Sequence, residues 1–146
     1  MRRLMAITYM DEIRAGRAAE EIGRCAEELL IDPDATSVAI CGRDGCVELT
    51  TSRRPGATAQ WSKFWGVLLG AVMNAGAEAE ALDAEFLARL RAALVPRSSV
   101  LLLAVSASRE AAVLKVLSPL DGVELACSLP ADLPRQWEIV GLSFDG

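Results

Sequence analysis

Hydrophobic and polar residues follow one another in an order that predicts strand, helix, strand, strand, helix, strand, helix, strand. The first strand covers residues 4–9, where Ile7 and Thr8 favour extended backbone, and it leads into Asp11, whose carboxylate can cap a following helix. Over residues 12–30, small or apolar residues recur at steps of three and four with charged residues between them. That spacing predicts an amphipathic helix.

A β-hairpin is predicted next, because residues 37–41 and 46–51 flank Gly42-Arg43-Asp44-Gly45 and Asp-Gly favours a two-residue turn. With Asp44 and Gly45 as the turn, Cys41 faces Glu48. This register puts Val38, Ile40, Val47 and Leu49 on the core face, and Ala39, Cys41, Cys46, Glu48 and Thr50 on the outward face. We expect Cys41 and Cys46 to be free thiols there, although a disulfide between diagonal neighbours is the alternative.

The second half of the chain predicts two more helices around a buried strand. Residues 82–94 carry a helical stripe, with Asp83 as cap and Pro96 after the end. The sequence VLLLAV at 100–105 is apolar on both faces, which is typical of a central strand covered from above and below. A third helix is predicted from Ser108 to Leu120 and a last strand over 123–128.

The order of these elements predicts one α+β domain over residues 1–146, a ferredoxin-like α/β sandwich with an antiparallel-rich sheet and helices on one face. Residues 61–77 form an apolar insert, and residues 130–146 are a C-terminal tail without an assignable pattern. Helices on one face alone would leave the other face of VLLLAV bare. We therefore expect a second copy of the chain or the apolar insert to cover it.

The insert contains fourteen uncharged residues, FWGVLLGAVMNAGA at 64–77, preceded by Trp61. It is too short to span a bilayer, which takes ~20 apolar residues. As a helix it aligns Trp61, Phe64 or Trp65, and Leu68 on one side. Burial in the fold or in a dimer interface is the favoured interpretation. Contact with lipid headgroups is a second, and a tryptophan-lined ligand pocket in which Asn74 orients the ligand is a third.

Composition excludes several classes of function. The net charge of −5 disfavours nonspecific nucleic-acid binding, which depends on Lys and Arg. The chain has no histidine, which removes Ser-His-Asp, Cys-His and His-metal chemistry. With Cys25 and Cys127 predicted inside, we expect no zinc site and no cofactor. Tyr9 ends the first strand, where clefts often form, although packing at the sheet rim is favoured. The amino terminus lacks a signal-peptide h-region, so a cytoplasmic protein with reduced cysteines is expected.

Several blocks carry a family resemblance: AITYMDE at 6–12, LIDPDATSVAICGRDGCVEL at 30–49, WSKFWGVLLGAV at 61–72, LDAEFLARLRAAL at 82–94 and PRSSVLLLAV at 96–105. In this order they resemble the uncharacterised bacterial family called domain of unknown function 1269, whose members are often labelled membrane proteins. Members usually carry a longer Gly-rich apolar region, which here gives way to AGAEAEA. The resemblance implies no catalytic residues. It supports the order of elements and a soluble or surface-associated protein.

Together these features predict a non-enzymatic, cytoplasmic, self-associating protein, an accessory or stress-linked interaction module. Its homo-oligomer interface would bury Trp61, Phe64, Trp65 and Leu68 with the outer face of VLLLAV. One alternative is a small-molecule binder or cofactor-independent oxidoreductase that uses Trp61, Trp65, Asn74 and Tyr9, by analogy of fold. The other is a protein attached peripherally to the membrane surface.

Overall fold

A computed structural model describes residues 2–29, 31, 35–51, 60–73 and 83–129 of the chain. Its strands are β1 (Arg2–Tyr9), β2 (Thr36–Cys41), β3 (Val47–Thr51), β4 (Ser98–Ser106) and β5 (Val123–Leu129). Its α-helices are α1 (Arg14–Arg24), α2 (Gln60–Met73), α3 (Ala84–Ala93) and α4 (Glu110–Leu117), the last flanked by the 3-10 turns Ala107–Arg109 and Ser118–Leu120. The α+β class is confirmed. Residues 74–77 of the predicted insert and the tail at 130–146 lie outside the described residues.

The five strands form one sheet in the order β3-β2-β4-β1-β5, and every neighbouring pair is antiparallel. β4 is the middle strand, with Leu102 opposite Ala6 of β1 and Ser37 of β2. All of VLLLAV lies in β4 and is buried. The predicted central strand is confirmed.

Helices cover both faces of this sheet, so the prediction of helices on one face was wrong. On one face, α1 packs over β2 and β4, and its Ala15 N–H donates to Ser99 Oγ at 3.2 Å. On the other face, Cys41 Sγ lies 3.8 Å from the carbonyl oxygen of Leu94, just after α3. Cys41 and Ser99 project to opposite sides because Cys41 pairs with Ser98 and side chains alternate along a strand.

The remaining helices follow the same division. α4 contacts α1, and its Glu110 pairs with Arg3, which alternates onto the face of Ser99. α2 contacts α3 and β3, and Arg91 of α3 donates hydrogen bonds to the carbonyl oxygens of Val72 and Ala71. We call these the α1 face and the α3 face. The side chains of VLLLAV that point to the α1 face and those that point to the α3 face are therefore both covered by helices.

Local sequence signals set the ends of two helices. Asp11 Oδ1 accepts hydrogen bonds from the backbone N–H groups of Ile13 (2.9 Å) and Arg14 (2.7 Å), and Asp83 does the same for Glu85 and Phe86. The predicted Asp83 cap is confirmed. Asp11 is not the N-cap of α1, which is Ile13; its carboxylate instead binds the N–H groups of Ile13 and of Arg14, the first residue of the helix. α1 is shorter than the predicted 12–30, since residues 25–29 form turns after Arg24.

The hairpin register differs by one residue from the prediction, because the turn is longer. Gly42 and Cys46 close a three-residue loop: Gly42 N–H donates to the Cys46 carbonyl at 2.9 Å and Gly45 N–H to the Gly42 carbonyl at 3.0 Å. Gly45 has φ of +84°, the left-handed conformation of a type I turn with a bulge. Cys41 therefore faces Val47, not Glu48. Val47 and Leu49 lie on the α3 face with Ala39 and Cys41, while Glu48 and Thr50 lie on the α1 face with Val38 and Ile40.

Candidate functional site

The largest cavity among the described pockets is an open apolar groove of about 390 Å³ on the α1 face. We call it the α1 groove. The α1 side contributes Gly16, Ala19, Glu20 and Gly23, and the floor consists of Thr36, Ser37, Val38, Ile40 and Thr50. Its volume falls within the ~300–1,000 Å³ of ligand pockets.

The groove exists because the side of α1 toward the sheet edge has small residues. Ala15, Ala18 and Ile22 point into the core and fix the helix on the sheet. On the adjoining side, a Cβ added at Gly16 would meet no atom within 4 Å. The helix consequently stands clear of the outer half of β2 and of β3. Among the described residues that line the groove, Glu20 alone is charged, so this lining favours apolar contact and offers no paired groups for acid-base chemistry.

Beside this groove lies β3, whose outer backbone edge has no strand partner among the described residues. β3 is the terminal strand of the sheet, paired with β2 alone among the described strands. Gly42 and Cys46 are a hydrogen-bonded pair, and such pairs alternate along an antiparallel ladder. Glu48 and Thr50 therefore direct their N–H and C=O groups toward β2, whereas those of Val47 and Leu49 point away from the sheet. An edge of this kind is a template for another strand.

Tyr9 is packed at the sheet rim, and its hydroxyl has no hydrogen-bond partner among the residues that the structure describes. The side chain is 2% exposed. Burial raises the pKa of the phenol to about 12, against the opposing charge of Arg14. Arg14 reaches from Asp11, with its Nε 3.0 Å from Asp11 Oδ2, to the Leu120 carbonyl, 3.4 Å from Nη1. The phenol stays protonated at neutral pH, so it is unsuited to act as a base, and the predicted packing role at the rim agrees with this burial.

Phe64, Trp65 and Leu68 lie inside the core rather than on a surface. All are 0% exposed, and the rings of Phe64 and Trp65 meet edge to face with centroids 5.0 Å apart. The helix α2 that carries them covers the α3 face. The side chain of Trp61 and all of Asn74 lie outside the described residues.

Of the predicted pocket residues, the two whose side chains are described, Trp65 and Tyr9, do not share a pocket. Trp65 belongs to the α3 face, whereas Tyr9 pairs with Ser99 and lies on the α1 face, so the sheet separates the two rings. Neither residue lines the α1 groove. Sequence reasoning missed the groove itself. The recurrence of Gly16, Ala19 and Gly23 along one side of α1 was the available signal. It was not distinguished from the small and apolar residues that mark an amphipathic helix.

Three cysteines have the pKa of their thiols raised. Burial raises the pKa of Cys127 to about 11. Burial also raises the pKa of Cys41, and the charge of Asp44 raises it further. The pKa of exposed Cys46 is raised mainly by a hydrogen bond with Asp44 and, next, by the negative charge of Asp44. All three remain thiols at neutral pH and are weak nucleophiles. Cys127 is inside as predicted, whereas Cys25 is only partly buried.

A carboxyl pair at the α4 end of the α1 face is a second feature without a sequence signal. Arg3 Nε lies 2.9 Å from Glu110 Oε2, and Arg3 Nη1 donates to Ser128 Oγ at 3.0 Å. Partial burial raises the pKa of the Glu124 carboxyl, and the charge of Glu110 and a hydrogen bond with it raise it further. Glu124 is exposed and also lines a small open pocket of about 110 Å³ beside Ile7 and Leu117, while the Glu110 side chain is 24% exposed.

Three comparisons with known proteins give no match: one with protein-family models, one with curated proteins and one with solved structures. Within the described ranges, no three Cys, Asp or Glu side chains are grouped as a metal ion would require. Of the helices in those ranges, none has the length and apolarity needed to cross a bilayer.

Proposed function

We propose that this chain is a non-enzymatic protein that associates with itself and serves as an accessory or stress-linked interaction module. The observation that carries the proposal is the adjacency of the α1 groove and the open edge of β3. An apolar groove beside unpaired backbone offers both burial and directional hydrogen bonds to a protein partner. The predicted interface around Phe64, Trp65 and Leu68 is replaced in this proposal, because those side chains are already buried within the chain.

We further propose that the fold is ferredoxin-like with additions. Without β3, the strand order is β2-β4-β1-β5, in which β4 lies between the ends of β1-α1-β2 and β1 lies between the ends of β4-α4-β5. Two interleaved β-α-β units of this kind are the split arrangement of ferredoxin-like sheets. In this interpretation α2 and α3 are an insert between the two units, and β3 is an added edge strand.

The cellular compartment and the family of the chain are also proposals. We propose a cytoplasmic protein, which accords with three thiols held in the protonated form and with partly or fully buried free Cys25, Cys41 and Cys127. Peripheral attachment to a membrane is the alternative. Kinship with the family of domain of unknown function 1269 rests on the order of sequence blocks, and the comparisons leave it a prediction.

A small-molecule binder is the second candidate function. The observation that favours it is the volume of the α1 groove, about 390 Å³ with mostly apolar walls. It would place the ligand between α1 and β2 instead of beside the tryptophans. An apolar fluorescent probe that binds with one-to-one saturation, and that an Ala19→Trp variant excludes, would support this function.

Light scattering over a range of protein concentrations tests the leading proposal. We expect the mass to rise from that of the 15.6 kDa chain to a discrete multiple of it. Hydrogen exchange of the same samples should slow only at a limited set of amides. A mass that stays at one chain up to the highest concentration would refute self-association.

A further inference from the structure

We propose that the self-association occurs between two β3 strands, antiparallel and centred on Leu49, so that the sheets of two copies join into one. The inference rests on the proposed function and specifies its partner as a second copy of this chain. It starts from the outward N–H and C=O groups of Val47 and Leu49, which lie at the spacing that a second extended strand pairs with.

The sequence of β3 is self-complementary in that register. Around a two-fold axis at Leu49, the strand VELTT pairs over its whole length: Leu49 faces Leu49 of the other copy, Val47 faces Thr51, and Glu48 faces Thr50. The single charged residue of the strand therefore meets a hydroxyl group and not its own copy. Like charges placed directly opposite each other would destabilise the pairing.

The strand lacks several of the usual protections of an edge. Val47–Thr51 contains no proline and no lysine, and three of its residues are β-branched. The bulge of the hairpin lies outside it, at the turn. Within the described ranges, β3 has no second strand partner.

The surroundings of the edge fit a two-fold contact. On the α1 face, each groove reaches Thr50 and so borders the junction. On the α3 face, the same axis brings together the two α2 helices, which contact β3. Over residues 64–73 of α2, for which exposure is described, the exposed positions are Gly66, Val67, Gly70 and Met73, and none of them carries a charge that would oppose this approach.

The decisive experiment compares Thr50→Glu with Thr50→Lys. Thr50 is exposed, so either side chain fits the isolated chain. In the proposed register, position 50 of each copy faces Glu48 of the other copy. Thr50→Glu therefore creates two facing pairs of carboxylates in the dimer, whereas Thr50→Lys creates two ion pairs. Cross-strand pairs contribute roughly 0.2–1 kcal/mol each, so we expect the dimer Kd of the two variants to differ by about tenfold or more, with Glu weaker.

Matched controls and a second readout separate this interface from others. Ala111→Glu and Ala111→Lys make the same charge changes on an exposed position of α4, and their dimer Kd values should differ less than about twofold. In the unmodified chain, dilution of the dimer should speed hydrogen exchange at the amides of Val47 and Leu49 and leave Glu48 and Thr50 unchanged.

The outcomes distinguish the interface from the function. A dimer whose Kd is the same for both Thr50 variants, with no change at the amides of Val47 and Leu49, overturns the β3 interface and keeps self-association, for instance through the outer side of α2. A chain that stays monomeric overturns both. A tenfold difference with exchange confined to the outward amides supports both.

Discussion

Gly122 lies where two side chains of β1 leave no room for a methyl group. A Cβ at this position would lie 2.4 Å from Ile7 Cγ2 and 2.6 Å from Tyr9 Cε1. We predict that Gly122→Ala lowers the free energy of unfolding by about 1–3 kcal/mol, since the neighbours are buried and must shift. Urea unfolding monitored by circular dichroism measures this.

Gly66→Ala is the matched control. Gly66 lies within α2, and a Cβ there meets nothing within 4 Å. Glycine within a helix is worse than alanine by roughly 0.5–1 kcal/mol, so this variant should gain stability. Equal losses in the two variants would contradict the close packing of Gly122 against β1.

Asp11 makes the stability depend on pH through the hydrogen bonds that its carboxylate accepts at the start of α1. Hydrogen bonds from the backbone N–H groups of Arg14 and Ile13 hold the pKa of its carboxyl below the usual value, assisted by the charges of Arg14 and Arg17. A depressed folded-state pKa gives stability that is present above the unfolded-state pKa and is lost as pH falls through the folded one. We predict that Asp11→Asn loses less stability than the unmodified chain between about pH 5 and pH 2.

This comparison is made by urea titration at each pH. The Asn side chain can still cap a helix through its amide oxygen, so the change isolates the charge. A difference between the two proteins that stays constant with pH would rule out Asp11 as a source of the acid sensitivity.

At the scale of elements, α2 is a core helix whose sequence favoured burial in the fold or in a dimer interface over contact with lipid or a ligand pocket. Phe64, Trp65, Leu68 and Val72 recur at helical spacing and are all 0% exposed. The length of the apolar run predicted that something must cover it. It could not predict that the cover is the α3 face of the same sheet, because uncharged residues on all sides of a helix leave its buried side undefined.

Leu68 and Val67 provide the test of this assignment, because they are adjacent aliphatic residues of α2 of which one is buried and the other exposed. Leu68 is 0% and Val67 37% exposed. Leu68→Ala should cost about 2–5 kcal/mol of unfolding free energy, and Val67→Ala less than about 0.5 kcal/mol. Denaturation of monomeric protein at low concentration provides both values. Comparable small losses would mean that α2 is not packed in the core.

The β2–β3 hairpin shows a different limit of sequence reasoning. The location of the turn followed from Asp44-Gly45, but both a two-residue loop and a three-residue loop with a bulge accept glycine with positive φ. Alternation could not decide between them, since Cys41 and Cys46 suit either face. One residue of difference moved Val47 and Leu49 to the α3 face and Glu48 and Thr50 to the α1 face. The edge that carries the proposed interface depends on this register.

At the scale of the molecule, the sequence predicted the elements better than their layering. VLLLAV implied a strand covered on both faces, and the strand is buried between α1 on one side and α2 and α3 on the other. The prediction of helices on one face was wrong because the other face is covered partly by α2. The apolar pattern of α2 is equally compatible with contact to a partner, to a membrane or to the chain itself. The α1 groove escaped prediction for a related reason: a gap depends on how far a helix stands from the sheet, and no single residue type encodes that distance.

The same arrangement leads to a prediction about lipid. Attachment through the tryptophan segment would require Phe64, Trp65 and Leu68 to leave the core, and the chain carries a net charge of −5, which anionic lipid repels. We therefore expect the protein to stay in the bottom fraction in flotation with vesicles of phosphatidylcholine and phosphatidylglycerol, at low and moderate salt. If it floats instead, the exposed side chains of Met10 and Ile13, 85% and 65% accessible, become the first anchors to test. Met10→Asp with Ile13→Asp would then abolish flotation if that loop inserts, whereas persistence of flotation in this double variant would point to other exposed apolar side chains, among them Val67, Met73 and Val123.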